Sequence, residues 1–243
     1  MLYKLSIVVP FYNEQNRIAQ SVRQIAAFFE NENEPYELIF VNDGSVDQSV
    51  KVLEAVLAEL NGQFKKCSVK ILHNEGNKGK GYSVRKGILA AQGQYVLFSD
   101  ADLSTPIEEV GKMLKAVREG YNIAIGSRAV ADSDVAVRQN IIRQSMGKFF
   151  NLLVRNMAGL DFKDTQCGFK CFDRQAIENI FDQLTIDDFS FDVEILYLAK
   201  LKGLKVKEVG VRWENSTESK VGVIKDSWAM LMNLTRLKNI HGK

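Results

Sequence analysis

The sequence predicts an α/β protein: a mostly parallel sheet flanked by helices, with an amphipathic helix at the C-terminal end. Three observations predict it. Short β-branched runs alternate with stretches of helical spacing, the pattern of parallel strands joined by right-handed crossovers. A polar cluster stands just past each early strand, at the edge where parallel sheets bind ligands. Residues 224–240 set apolar side chains on one helical face.

The elements follow in order. Leu5 to Val9 is a short β-branched run closed by Pro10, a buried strand. Glu14 to Glu30 has helical spacing, with Ile18, Val22, Ile25, Ala26 and Phe29 on one face. Tyr36 to Val41 is a second strand, ended by Asn42-Asp43-Gly44-Ser45. Val50, Leu53, Val56, Leu57 and Leu60 form the stripe of a second helix. Val69 to Leu72 is a third strand, and Tyr82 to Ala91 a short helix with a Gly-rich entry. Tyr95 to Phe98 is a fourth strand, ended by Asp100-Ala101-Asp102, with a helix from Ile107. The second half is less regular. Ile123 to Gly126 reads as a strand, 138–158 as a long helix, and 164–172 as a polar turn and strand. Residues 192–202 read as a helix, 205–213 as a strand and 224–240 as the last helix.

Composition narrows the function. With 46% hydrophobic and 26% charged residues, the 243-residue chain is no disordered, collagenous or coiled-coil protein. A net charge of +2 provides no global field for nucleic acid, and the basic clusters lack interleaved aromatics that stack bases. Charge is instead segregated: 65–86 and 200–243 are basic, and 161–194 is acidic, a character that would suit a polyol acceptor. Three Cys and two His argue against a disulfide scaffold and a zinc site, and for reduced thiols in the cytoplasm. Met1 runs straight into a strand, so no signal peptide is expected, and no apolar stretch approaches the roughly 20 residues of a spanning helix.

Four clusters carry candidate chemistry, each beside a plainer structural reading. Asp100-Ala101-Asp102 suits a hard divalent ion bridging nucleotide phosphates, or caps the helix that follows. In Asn42-Asp43-Gly44-Ser45, Asp43 can accept from a base or ribose in an exposed turn, or simply make the turn. After Pro10, Tyr12 can stack on a base and Glu14 can accept from ribose, or Asn13 caps a helix. Gly76 to Gly81, with Lys78 and Lys80, can cradle phosphate, or is a solvated loop.

Together, Val9-Pro10-Phe11-Tyr12-Asn13-Glu14, Asn42-Asp43-Gly44-Ser45, Asn77 to Gly81 and Asp100-Ala101-Asp102 resemble the family-2 glycosyltransferases, whose nucleotide-sugar fold is the Rossmann-like GT-A type. Gly126-Ser127-Arg128, Asp164 to Lys170, Phe191-Asp192-Val193-Glu194, Trp213 and Ser219-Lys220 narrow the likeness to the dolichyl-phosphate β-glucosyltransferases, and less closely the mannose synthases. The resemblance implies a single domain over 1–222, with a nucleotide-binding half at about 1–125 and an acceptor half at about 126–222, followed by a helix at 223–243.

It also implies roles. Pro10, Tyr12, Glu14, Val41 and Asp43 would hold the nucleoside, with Lys80 near the diphosphate or Asp43. Asp100, Ala101 and Asp102 would hold ribose, phosphate and a divalent cation, magnesium or manganese, Asp102 being the main ligand. Ser104 stands where the mannose synthases place a ligating Gln, and is a weaker ligand. Lys220 would face the donor diphosphate, although Glu218 replaces the Gly usual before Ser-Lys. The expected reaction is inverting transfer of a hexose, glucose by subgroup, from a UDP-sugar to a polyprenyl phosphate. Arg128 and Arg143 would position that acceptor phosphate. A hydroxyl acceptor on a soluble or cell-surface glycan would need a base, and Asp192 stands at the motif position for one, or caps a helix. A non-catalytic nucleotide-sugar binding module is the third reading; the intact Asp100, Asp102, Lys80 and Asp192 argue against it.

Cys167 and Cys171 read as small core residues. In the last helix, Ile224, Trp228, Leu231, Leu234 and Leu237 share a face rimmed by Lys225, Arg236, Lys238 and Lys243. That face either lies on the cytoplasmic face of a membrane, as a peripheral anchor, or packs on the domain's own core.

Overall fold

The computed structural model describes residues 3–30, 34–64, 66–135, 154, 157–214, 232–233, 235–237 and 239–242. The first half alternates as expected: β1 (Tyr3–Phe11), α1 (Ile18–Phe29), β2 (Tyr36–Asn42), α2 (Ser49–Glu59), β3 (Cys67–His73), α3 (Lys80–Leu89) and β4 (Gly93–Ser99). A 3-10 turn at Ile107–Glu109 leads into α4 (Val110–Arg118), then β5 (Ile123–Ser127) and β6 (Asp134–Val135). Beyond these lie β7 (Phe169–Asp173), α5 (Arg174–Phe181), α6 (Phe191–Leu201), β8 (Val206–Gly210) and β9 (Arg212–Trp213).

Seven strands form one sheet in the order β3-β2-β1-β4-β7-β5-β8, and β6 pairs with β9 in a short ribbon. All pairings are parallel except those of β7, which runs antiparallel between β4 and β5. The near-continuous apolar runs follow from burial on both faces of the sheet. Ile7, Val9, Leu38, Phe40 and Leu97 pack with Ile18, Val22, Ile25, Leu53, Met113 and Val117. Val8, Ile39, Val41, Val96 and Phe98 pack on the opposite side with Val84, Ile88, Phe191 and Leu196.

Four expectations need correction. The first helix begins at Ile18 rather than near Glu14, because Asn13 takes a left-handed φ of 55° and Glu14 and Gln15 are spent anchoring the neighbouring turn. The strand expected over 205–213 divides at buried Val211, where the chain leaves the sheet for the ribbon. The helix expected from Ile107 opens as a 3-10 turn. Helix α5 was not foreseen, although Asp173 caps it by accepting from the N–H groups of Gln175 and Ala176. Most of the helix expected over 138–158 lies outside the described residues, of which Val154, Met157 and Ala158 are helical.

The described residues of the C-terminal segment are helical at 232–233, 235–237 and 239–241. Leu237 is buried in the domain core, so at this residue the core reading of the apolar face holds and the membrane reading does not. Trp228, Leu231 and Leu234 lie outside the described residues. Asn233, one helical turn before Leu237, donates to Asp188 Oδ2 at 2.7 Å, and His241, one turn after it, pairs with Glu194 Oε1 at 2.7 Å.

Candidate active site

Parallel register brings three clusters to one edge. Phe11 lies beside Asn42, and Val8 beside Phe98, so the chain leaves β1, β2 and β4 side by side. Asn13 does not cap α1. Its Oδ1 accepts from the N–H of Val46 and, at 3.4 Å, of Asp47, while its own N–H donates to Ser45 Oγ. The Glu14 N–H donates to Ser49 Oγ at 2.6 Å. These bonds bind the end of β1 to the turn after β2.

Asp43 was expected in an exposed turn; it is 4% exposed. Its carboxylate accepts from Asn74 Nδ2 at 2.9 Å and from the N–H groups of Lys78 at 2.8 Å and Gly79 at 3.0 Å. It therefore pins the Gly-rich loop to the end of β2. Gly79 adopts φ 102°, and a Cβ there would collide with the Asp187 carbonyl, so this loop needs glycine.

Lys80, the first residue of α3, turns to Asp100 rather than Asp43: Nζ lies 2.6 Å from Oδ1. Its ammonium sits over the rings of Phe98 and Phe189. Burial opposes its charge, but Asp100 and Asp192 outweigh that and hold it above the usual lysine range. Gly168 lets the Asp100 carboxylate approach, since a Cβ there would strike it.

Asp102 does not cap the following helix; Pro106 stands at that cap and makes no side-chain capping bond. Asp102 Oδ1 accepts from Ser104 N–H at 3.0 Å, and Oδ2 lies 3.6 Å from the Arg17 guanidinium. Arg17 also pairs with Glu14 at 2.6 Å, bridging two clusters. Ser104 contributes its main chain to the turn, its carbonyl accepting from Glu214 N–H. Pro10, Val41 and Ala101 are buried, and the side chains of Val41 and Ala101 belong to the core, so they shape the edge from beneath. Tyr12 is half-buried at the same edge.

Arg128 is clamped by Asp164, Nε to Oδ2 at 2.6 Å and Nη2 to Oδ1 at 2.9 Å, and lies over Trp213. Burial would raise the Asp164 carboxyl, but the guanidinium wins and holds it below the usual range. Asp192 is neither a cap nor open to solvent. It is buried in the first turn of α6 and accepts from the buried Lys170 Nζ at 2.5 Å. Burial pushes its carboxyl up despite Lys170 and Lys80. Glu194 is also sealed, accepting from Thr185, Ile186 and His241. The acidic stretch 161–194 is thus partly internal wiring. Cys167 and Cys171 are buried, and burial pushes their thiols up to about 11 and about 12. Lys220 and Arg143 lie outside the described residues.

Three residues of this site were missed in the sequence: Arg17, Asp164 and Lys170. Arg17 had a local signal, standing three residues after Glu14. Asp164 and Lys170 stood inside a quoted motif but had partners 36 and 22 residues away.

A parallel sheet whose strand ends gather the Asp43 turn, a basic Gly-rich loop and an Asp-x-Asp turn has the architecture of the GT-A nucleotide-sugar transferases. Residues 6–181 match the family model described as Glycosyl transferase family 2, and the chain belongs to that family. A dolichyl-phosphate beta-glucosyltransferase of Drosophila melanogaster is 37% identical over 90% of this chain and 69% of its own. Those of Dictyostelium discoideum and Saccharomyces cerevisiae are 32% and 33% identical, each over 96% of this chain and over 73% and 74% of their own. Among solved structures, the glucosyl-3-phosphoglycerate synthase of Mycobacterium tuberculosis in complex with Mn2+, UDP and glucosyl-3-phosphoglycerate superposes with a TM-score of 0.70 at 15% identity, covering 99% of this chain and 80% of that one.

Proposed function

We propose that this enzyme transfers glucose from UDP-glucose to dolichyl or a related polyprenyl phosphate, with inversion at the anomeric carbon. The relatives' shared name supports the sugar and the lipid. The observation that carries the acceptor class is the state of Asp192. A hydroxyl acceptor needs an accessible base, and this carboxylate is sealed against Lys170. A phosphate oxygen is already anionic and needs only positioning.

Asp100 and Asp102 fit a hard divalent ion, being two partly exposed carboxylates in one turn, with remaining ligands left to phosphate and water. Such an ion would neutralise charge on the departing diphosphate. Lys80 offers a second positive charge at the same place. Asp43 holds the loop that carries Lys80, and Arg17 holds Glu14 and Asp102 in register. Asp164 takes two of the five guanidinium N–H groups of Arg128, leaving three to orient the acceptor phosphate.

No helix among the described residues is long and apolar enough to cross a membrane. The exposed Met232 and Ile240, with Arg236 between them, form the face we assign to contact with the lipid surface. The test is radiolabelled UDP-glucose with dolichyl phosphate and Mn2+. Label extracted into organic solvent supports the reading; label reaching only water-soluble acceptors overturns it.

A further inference from the structure

We propose that Lys170 is a positioning residue for donor binding: by neutralising Asp192 inside the core, it leaves Lys80 outward on Asp100, where the donor diphosphate arrives. The inference rests on reading the strand edge as the donor site.

Strand β7 lies antiparallel to β4 with Lys170 opposite Phe98. Phe169 and Cys171 face one core cluster and Phe172 the other, so the period of two puts Lys170 on the side of Phe172, where Phe98 and Phe191 also pack. That side carries α3 with Lys80 and α6 with Asp192. The fully buried Lys170 Nζ donates to Asp192 Oδ1 at 2.5 Å and to the Cys167 carbonyl at 2.7 Å. The Lys80 ammonium lies over the Phe98 ring and 2.6 Å from Asp100, and that ring packs edge-on against Phe191, the residue before Asp192.

Four charges therefore alternate from core to mouth: Lys170, Asp192, Lys80, Asp100. A buried carboxylate without a cation is strongly disfavoured. Lys170 meets that need from within the core. Without it, the nearby cation is Lys80, which would be drawn inward, away from Asp100 and from an incoming diphosphate.

The experiment measures the dissociation constant of UDP by calorimetry in Mn2+ buffer, on protein whose folding is checked by near-UV circular dichroism. Lys170→Met should weaken UDP binding about tenfold, the loss of one charge-assisted contact. Lys170→Met combined with Asp192→Asn removes the inward pull and should restore affinity to near wild type. With labelled donor, Lys170→Met should raise KM and lower kcat, and the double variant should recover both, a rescue that loosened packing would not produce. Unchanged affinity in folded Lys170→Met, or failure of the double variant to recover, overturns the inference. Where Lys170→Met does not fold, Lys170→Gln takes its place: weaker UDP binding supports the charge chain, and equal binding overturns it. Wild type that binds no UDP overturns the donor-site reading and the inference with it; wild type that binds no better than folded Lys170→Met overturns the inference alone.

Discussion

The edge beyond β1, β2 and β4 and the second half of the chain each hold a lysine–aspartate pair, and the two differ in exposure. Lys80 and Asp100 meet at 2.6 Å with side chains 22% and 34% exposed. Lys170 and Asp192 meet at 2.5 Å with side chains 0% and 4% exposed. Bond length does not separate them; solvent does. An open pair is screened and exchangeable, so a ligand's oxygen can take the place of the carboxylate. A sealed pair has lost its hydration, and removing one member strands the other in the core. The open edge can thus rearrange around a ligand while the sealed pair keeps a fixed frame.

If that contrast is right, substitutions at the open edge remove activity and spare the fold. The largest effect is expected from Asp102→Ala, which should lower turnover by about 10³-fold through lost stabilisation of developing charge. Its melting temperature should stay close to wild type, because among the described residues Asp102 is bonded only to Ser104 N–H and a distant Arg17. EDTA should silence the wild type reversibly. Full turnover in EDTA would remove the cation from the site.

Asp43 tests the contrast from the other side, because it stands at the same strand-end edge as Asp100 yet is sealed. It accepts three hydrogen bonds, so Asp43→Ala should cost stability, about 2–3 kcal/mol, together with nucleotide affinity. Asn74→Ala removes one of those bonds and should show a smaller loss of both. Denaturant titration beside UDP calorimetry reads them out. A variant that loses affinity at full stability would put Asp43 in direct contact with the nucleoside and return it to the open class.

The Arg128–Asp164 pair predicts a pH effect. The folded carboxyl is held below its usual value, so the unfolded chain binds the proton more readily. The pair's contribution is complete above the ordinary aspartate pKa of about 3.9 and disappears as pH falls through the lower folded value. Asp164→Asn should lower the melting temperature at neutral pH, with the two curves converging in acid. Parallel curves down to the lowest pH would place the stabilisation elsewhere.

The same contrast explains what was legible in the sequence. Strands β1, β2 and β4 announced themselves by β-branched runs buried on both faces, and their terminal clusters by Gly, Asn and Asp in turns. Those signals are local. The partner of Asp192 is not: Lys170 lies on an antiparallel strand inserted between β4 and β5, and nothing near Asp192 says that a cation will face it. Asp192 therefore reads as a base in the sequence and as a buried ion-pair partner in the structure. Asp43 misleads in the same way, since its donors come from a loop more than thirty residues on. Helix α5 was legible, with Asp173 before Ile177, Ile180 and Phe181, and went unread because it follows its strand without a loop.

The smallest expected effect concerns the C-terminal segment, where one helix serves both sides of the contrast. Asn233, Leu237 and His241 recur every fourth residue and dock on the 188–194 region, Leu237 entering the core. Met232, Arg236 and Ile240 recur with the same spacing one step earlier, with Met232 44% and Ile240 45% exposed. The apolar face was expected to carry Leu237 either to the membrane or to the core; the structure places Leu237 in the core and leaves Met232 and Ile240 exposed. Liposome flotation separates the two faces. Wild type should float with anionic vesicles at low salt and sink as salt rises, because screening weakens the pull of Arg236 and its basic neighbours. Met232→Ser with Ile240→Ser should reduce flotation severalfold while the melting temperature holds, since burying two apolar side chains in lipid contributes about 2–4 kcal/mol that folding does not use. Leu237→Ala should do the reverse, lowering stability by about 2–4 kcal/mol as a buried leucine cavity does, with any folded fraction still floating. If Met232→Ser with Ile240→Ser floats like wild type, the outward face does not hold lipid, and the enzyme must reach its acceptor through another surface.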